Sequence, residues 1–299
     1  MQVPRHPSAR SARAAAGCAA VVALALVAAG CSAIPPAKVT SSGRCATVQP
    51  GTLTLATYNP PPSPWFVGTP PDGSPWAQAD PESGRGFESA MGYDIARRLG
   101  YARQKVQWLP LPFQASYAPG PKVFDAFIGQ VTNTPARAGS VDFSPPYFPV
   151  PTAVLVRADS PAARASTRAE MQELLFGAQV GTTVLDAVNE VVQPTQQPRV
   201  YDDQPIVVRA LVDGQVDAVV LDLPTAANVA RTEAPGTRVI ATLRPKGPVD
   251  QLGIVTQKSG PMTRCIREAV TAMRRDGTLQ RLQRQWVPIP PDLPEIRRG

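Results

Sequence analysis

Thirty-five prolines in 299 residues limit this chain more than any other feature. That share, about 12%, is more than twice the usual ~5%. A proline inside a helix removes a hydrogen bond and clashes with the turn before it, which rules against long uninterrupted helices. Eight of the prolines fall between Tyr58 and Gly84, together with three glycines, and predict one long loop there. Elsewhere the composition is that of a globular protein: 43% hydrophobic and 18% charged, enough for a core and too apolar for wholesale disorder.

On either side of that loop, strand and helix patterns alternate. Gly51 to Thr57 reads as a strand. Gly86 to Gly100 places Phe87, Met91, Ile95 and Leu99 at fourfold spacing and ends on glycine, an amphipathic helix with its C-cap. Val123 to Gly129 predicts a buried strand, and Thr134-Pro135 starts a short helix with Thr as N-cap and Pro at the first position. Thr152 to Arg157 is another strand, and Thr167 with Glu170 has capping-box spacing. A strand ending at Gln179-Val180 turns through Gly181-Thr182-Thr183 into a helix from Val184 to Val192. Ile206 to Val212 reads as helix, Val216 to Asp222 and Leu252 to Thr256 as strands. Helices follow over Met262 to Arg274 and Thr278 to Trp286, before a Pro-rich tail expected to be loose. Such alternation predicts an α/β fold with mostly parallel sheets. Phe124-Asp125-Ala126-Phe127-Ile128 and Val216-Asp217-Ala218-Val219-Val220 share one pattern 92 residues apart, a hint of two lobes of similar design.

The N-terminus carries an address. Arg5, Arg10 and Arg13 precede an apolar run from Ala14 to Gly30, 17 residues long. A span needs about 20, so the run suits a secretory signal core. The junction Ala28-Ala29-Gly30-Cys31 resembles a bacterial lipobox, which places a lipid on the Cys31 thiol and the protein on the extracytoplasmic face of the cell membrane. A plain signal peptide with a coincidental cysteine and an uncleaved anchor helix are the alternatives. The leader spans residues 1–30, and residues 31–50 read as a tether. The one histidine, His6, leaves with that leader, which excludes His-ligated metal sites, Ser-His-Asp triads and Cys-His dyads. Neither a metal nor a cofactor is expected. Net charge falls from +7 to +4 without Arg5, Arg10 and Arg13, and the basic residues are scattered, so nucleic acid is not an expected partner. Cys18 leaves too. Cys45 and Cys265 remain, an even number in a disulfide-permissive compartment; a bond between them is the simplest account, two buried free thiols the alternative.

Several segments form a recognisable series: Gly86-Phe87-Glu88 through Leu99-Gly100, Phe124-Asp125-Ala126, Val131-Thr132-Asn133-Thr134-Pro135-Ala136-Arg137 and Val141-Asp142-Phe143-Ser144-Pro145-Pro146-Tyr147. Gly181-Thr182-Thr183, Val216 to Asp222 and Asp276-Gly277-Thr278 follow them. In content and order the series resembles the bacterial extracellular solute-binding proteins of family 3, which serve polar amino-acid ABC importers. The resemblance implies a two-lobed periplasmic-binding-protein (clamshell) fold, with two mainly parallel sheets joined by a two-strand hinge. Lobe 1 would take residues 51–150 and 244–288, lobe 2 residues 151–243, and 289–299 would be the tail. Crossings are expected near Pro149 to Thr152 and Thr242 to Pro245.

The resemblance also implies a ligand set for a free amino acid. Arg137, Thr132 and Thr183, with Thr182 beside it, would meet the α-carboxylate, and Asp222 the α-ammonium. Trp65 and Phe113, with Tyr58 behind them, would flank the side chain. The physics agrees: Arg offers a planar fork that stays charged when desolvated, and Asp222 closes a strand at the end where α/β sheets bind ligands. The implied function is a monomeric, lipid-anchored receptor that delivers an amino acid to ABC permease subunits. The alternatives are a same-fold enzyme, such as a cyclohexadienyl or prephenate dehydratase, and a solute sensor for a membrane signalling protein.

Overall fold

The computed structural model describes residues 45–287, 290 and 293–298. Cys31 and the leader lie outside the described residues. In chain order the elements are β1 (Leu53–Tyr58), α1 (Phe87–Arg98), β2 (Val106–Leu111), β3 (Ala126–Phe127), α2 (Pro135–Ser140), β4 (Val141–Phe143), β5 (Phe148–Val150) and β6 (Thr152–Arg157). Next come α3 (Arg168–Gln172), β7 (Phe176–Gln179), α4 (Thr183–Ala187), β8 (Arg199–Tyr201), α5 (Gln204–Val212), β9 (Ala218–Asp222) and α6 (Leu223–Asn228). The chain closes with β10 (Thr237–Arg244), β11 (Asp250–Leu252), β12 (Val255–Gln257), α7 (Thr263–Arg275), α8 (Thr278–Trp286) and β13 (Glu295–Arg297). No helix among the described residues is long and apolar enough to cross a membrane.

Two sheets form two lobes. The first has the order β2-β1-β3-β12-β4, with β2, β1 and β3 parallel and β12 antiparallel to β3 and β4. The second has the order β13-β10-β6-β9-β7-β8, parallel through β9, β7 and β8 and antiparallel across β6. Both faces of the second sheet are covered: Val154, Val156 and Val220 point into one core, Leu155, Val219 and Leu221 into another. That double burial makes its strands read as continuous apolar runs rather than alternating ones. The first sheet is likewise packed on both sides, with Leu53 and Leu55 facing α1 and α7 while Ala56 and Tyr58 face Phe113 and Phe127.

The five-residue echo has one structural cause. Asp125 donates its N–H to Thr54 O (2.8 Å) and accepts the Thr54 N–H at 2.7 Å on its carboxylate. Asp217 does the same with Leu175, at 2.9 Å in both directions. Each aspartate stands one residue before its strand (β3 or β9) and satisfies an amide at the start of the parallel neighbour, Thr54 in β1 and Leu175 just before β7.

Several expectations need correction. The predicted strand over Val123 to Gly129 shrinks to β3, because Asp125 turns to cap β1 and Val123 lies exposed. Leu252 to Thr256 is two strands: Gly253 separates β11, paired with β5, from β12. Strands β2, β4, β8 and most of β10 carry no clear pattern. In β2, Pro110 sits opposite Thr57 on an edge strand, where a missing N–H is tolerated. The described end of the tail is not loose. Its β13 pairs parallel to β10, Thr242 opposite Glu295, and buries Ile296 against the second lobe. The chain therefore passes between the sheets three times, whereas two crossings were expected. The first two run side by side, Val150 paired with Asp250.

The Pro-rich segment is a loop, but a packed one. Trp65 and Phe66 are fully buried, Trp65 edge-on to Phe87 and Phe148 and Phe66 edge-on to Trp108. At the far side of this lobe Cys45 and Cys265 are bonded, their Cα atoms 6.1 Å apart. The bond ties the segment before β1 to α7 across 220 residues. Closing so long a loop restricts the unfolded chain, so the Cys45→Ser/Cys265→Ser protein is expected to lose about 2–4 kcal/mol of stability. Urea unfolding of reduced and oxidised wild type beside that variant checks this; coincident curves would show that the bond carries no load.

Candidate functional site

A cleft of about 70 Å³ lies between the lobes, lined among others by Tyr58, Phe113, Thr132, Arg137, Thr182, Thr183 and Asp222. Seven of the eight expected ligand contacts thus meet at one place, although they come from positions 58 to 222.

Arg137 stands on α2, where Thr134 caps the helix by accepting the Arg137 N–H at 3.3 Å. Only 9% of the residue is exposed. Its Nη1 donates to Thr132 O and its Nη2 to Gly181 O of the other lobe, both at 2.9 Å. The guanidinium lies over the rings of Tyr117 (4.6 Å) and Phe113 (5.5 Å). Burial lowers its pKa, and the neighbouring Tyr117 and Asp250 offset part of that. Arginine keeps its charge here regardless, and three of its five N–H groups remain for a ligand.

Thr132 and Thr183 face each other across the cleft, Oγ1 to Oγ1 3.2 Å, and the Thr132 hydroxyl also reaches Asp250 at 3.3 Å. Thr183 opens α4, but α4 is only five residues long before it widens. What this side offers an anion is threonine hydroxyls rather than a long helix dipole. Thr182 does not cap the helix with its side chain, which donates to Gln179 O at 2.7 Å and so shapes the turn. Gly181 holds φ +73°, and an added Cβ would come within 3.0 Å of the Tyr117 hydroxyl that closes on this turn.

Asp222 ends β9 and caps α6. Its carboxylate accepts the Thr225 N–H at 2.9 Å and the Thr225 hydroxyl at 2.7 Å. Burial pushes its pKa up, while the hydrogen bonds from Thr225 pull it back. No cation pairs with it among the described residues. A desolvated carboxylate without a counter-charge is a place for a ligand cation. Arg137 is the cleft's only lining cation among the described residues, against Asp222 and Asp250.

Trp65, expected beside the ligand, does not line the cleft. Its ring is sealed between Phe87 and Phe148, and its Nε1 donates to Thr225 Oγ1 at 2.8 Å, across the lobes and behind Asp222. Phe113 and Tyr58 do reach the cleft, edge-on to each other at 5.7 Å. Sequence reasoning missed Gln130, Asp250, Gln179 and Gln204, which also line it. None belongs to a recognisable motif; the one available hint was that Asp250 precedes a predicted strand. No group of three or more His, Cys, Asp or Glu side chains is gathered to hold a metal among the described residues.

The comparisons with known proteins fit this geometry. The model of the bacterial extracellular solute-binding proteins, family 3, matches residues 66–289. The chain belongs to that family. The L-cystine-binding protein TcyJ of Escherichia coli (strain K12) is 25% identical over 211 residues, covering 70% of this chain and 76% of the relative. An ancestral arginine-binding protein, solved bound to arginine, superposes with a TM-score of 0.63 at 26% identity, covering 80% of this chain and 99% of that one. A substrate-binding protein of an amino acid ABC transporter from Streptococcus pneumoniae Canada MDR_19A, bound to L-arginine, shares the fold with a TM-score of 0.64 at 22% identity over 80% of this chain and 95% of its own. Two-lobed amino-acid-binding proteins of this family are thus the chain's structural kin, and the family is extracytoplasmic.

Proposed function

We propose that this protein is a lipid-anchored receptor on the extracytoplasmic face of the cell membrane that binds a free amino acid between its lobes and delivers it to an ABC importer. The observation that carries the reading is the placement of Arg137 and Asp222 on opposite sides of one cleft. A free amino acid bears one carboxylate and one ammonium, and the cleft offers a cation with donors to spare and an unpaired carboxylate. Arg137, Thr132 and Thr183 hold the ligand carboxylate, Asp222 takes the ammonium, and Tyr58 and Phe113 flank the side chain. Lobe closure then buries the ligand, and the closed form is what a permease reads. Relatives named for cystine and arginine binding support the ligand class.

Trp65 spans the lobes through Thr225, so intrinsic fluorescence reports closure. Titration with L-arginine, L-glutamine, L-cystine and apolar amino acids is expected to give saturable changes with at least one of them. Silence with all, alongside binding of a sugar, would overturn the reading. The anchor has its own check: Cys31→Ala is expected to move the protein from the detergent phase to the aqueous phase, and unchanged partitioning would reject acylation at Cys31.

A further inference from the structure

Along the sequence the basic residues read as scattered, yet the net positive charge sits on one hairpin. With Arg5, Arg10 and Arg13 gone, 27 basic residues face 23 acidic ones. The hairpin of α7 and α8 holds six of those arginines and two of the acids, so the remaining 21 basic and 21 acidic residues cancel. On α7 the exposed positions Arg264, Arg267, Thr271, Arg274 and Arg275 recur at helical spacing and form one stripe. Arg281 and Arg284, exposed one turn apart on α8, carry it past the bend, where the Arg281 guanidinium reaches back to Thr278 Oγ1 at 2.9 Å. Little of this charge is cancelled locally. Arg264 pairs with Glu268 at 2.6 Å, and Asp276 is taken by the buried Arg98. Arg267 and Arg274 donate instead to the neutral carbonyls of Phe143 and Pro146. Those two, with Arg275, Arg281 and Arg284, make no ion pair among the described residues. Helix stability does not account for the set. Arg274, Arg275 and Arg284 stand in last turns, where a cation suits the dipole, but Arg264 stands in the first turn of α7, where it does not.

We propose that this arginine face rests on an anionic phospholipid surface, the outer leaflet of the membrane that carries the Cys31 anchor. The proposal rests on the lipid-anchored reading above. The disulfide fixes where the tether leaves the fold, because Cys45 is bonded to Cys265, the neighbour of Arg264 on α7. Cys31 precedes Cys45 by 14 residues, a reach of at most about 50 Å. Every path from the lipid to the fold therefore ends beside the arginine stripe. The tether has the same sign, with Lys38 and Arg44 and no acidic residue between the two cysteines. Arginines brought within a Debye length of anionic headgroups are attracted to them, and a face that is attracted at several points orients the body behind it. No residue of α7 or α8 lines the cleft, so docking on this face covers none of the ligand site.

The test places the acylated protein in phosphatidylcholine vesicles with and without about 30% phosphatidylglycerol, with an acceptor dye on a lipid headgroup. Cys45 and Cys265 are bonded, so one introduced cysteine takes a donor dye selectively: Thr271→Cys reports the stripe and Gln197→Cys reports lobe 2. Phosphatidylglycerol is expected to raise energy transfer at position 271 and not at position 197. About 1 M NaCl, which shortens the screening length to about 3 Å, is expected to abolish the rise. Arg267→Gln/Arg275→Gln/Arg284→Gln is expected to lose the rise as well. Arg199→Gln/Arg209→Gln/Arg238→Gln makes the same change of charge at exposed positions of lobe 2 and is expected to keep it. Equal transfer at position 271 in both kinds of vesicle overturns the docked face, leaves the anchor standing and assigns the arginines to a protein partner. A rise that the lobe 2 variant loses equally overturns the face in favour of net charge alone. No association of the wild type with either vesicle overturns anchor and face together.

Discussion

Arg137→Ala and Asp222→Ala are each expected to weaken amino-acid binding by roughly 30- to several-thousand-fold, about 2–5 kcal/mol, in a protein that still folds. The two side chains come from different lobes, so a zwitterion meets both only when the cleft closes. The ligand thereby supplies contacts that the open form lacks, which is the differential affinity a shift toward closure requires. Removing either partner leaves one ligand charge buried without a counter-charge. Two controls separate charge from scaffold. Asp222 also caps α6, and losing a cap costs about 1 kcal/mol by itself; Asp222→Asn keeps a capping oxygen and is expected to lose ligand all the same. Arg137→Lys keeps the charge but not the fork that spans Thr132 O, Gly181 O and a carboxylate, and is expected to fall between wild type and alanine. Esterifying the ligand's carboxylate or acetylating its amine is expected to reproduce the respective mutant. Calorimetric titration of these proteins and ligands is the measurement; near-wild-type affinity in either folded alanine variant would remove that residue from the site.

Arg98→Ala is expected to cost about 3–5 kcal/mol of stability. The Arg98 side chain has no exposed surface. Its Nε pairs with Asp94 at 2.6 Å and its Nη2 with Asp276 at 2.7 Å, with Thr278 Oγ1 at 3.2 Å. One cation thus joins α1 to the turn between α7 and α8. Truncation leaves two carboxylates facing a hole, so Arg98→Met, which fills the volume, is expected to lose less. The pH dependence has a definite sign. Burial raises the Asp276 pKa, but the bonds from Thr278 and Arg98 outweigh it and hold the carboxyl below 3.8. A depressed acid contributes stability above its unfolded-state pKa and loses it as pH falls through the folded one. The wild-type advantage over Arg98→Met is therefore expected to shrink below about pH 4. Urea unfolding at pH 7 and pH 3 reads both quantities, and an Arg98→Ala protein within 1 kcal/mol of wild type at pH 7 would show the network to be decorative.

Local pattern carried much of this protein. Caps and periodicity name their own positions: Thr134-Pro135 starts α2, Thr167 and Glu170 form their box, and Phe87, Met91 and Ile95 mark the buried stripe of α1. Arg137, Thr183 and Asp222 came instead from the resemblance to family 3, and the structure places all three around one cleft. Where a partner lies far away in sequence, pattern failed. The tail became β13 because β10 offered an open edge, and Trp65 left the cleft because Phe87, Phe148 and Thr225 surround it. Glu88 stood out only as part of the Gly86-Phe87-Glu88 segment of the resemblance; its full burial and its bonds to Gln130 and Tyr147 follow from how α1 packs against residues far away in the chain. Hydrogen bonding within a turn acts over three or four residues and leaves a trace in their order. Burial and charge coupling depend on distances through space, which residue order alone does not record.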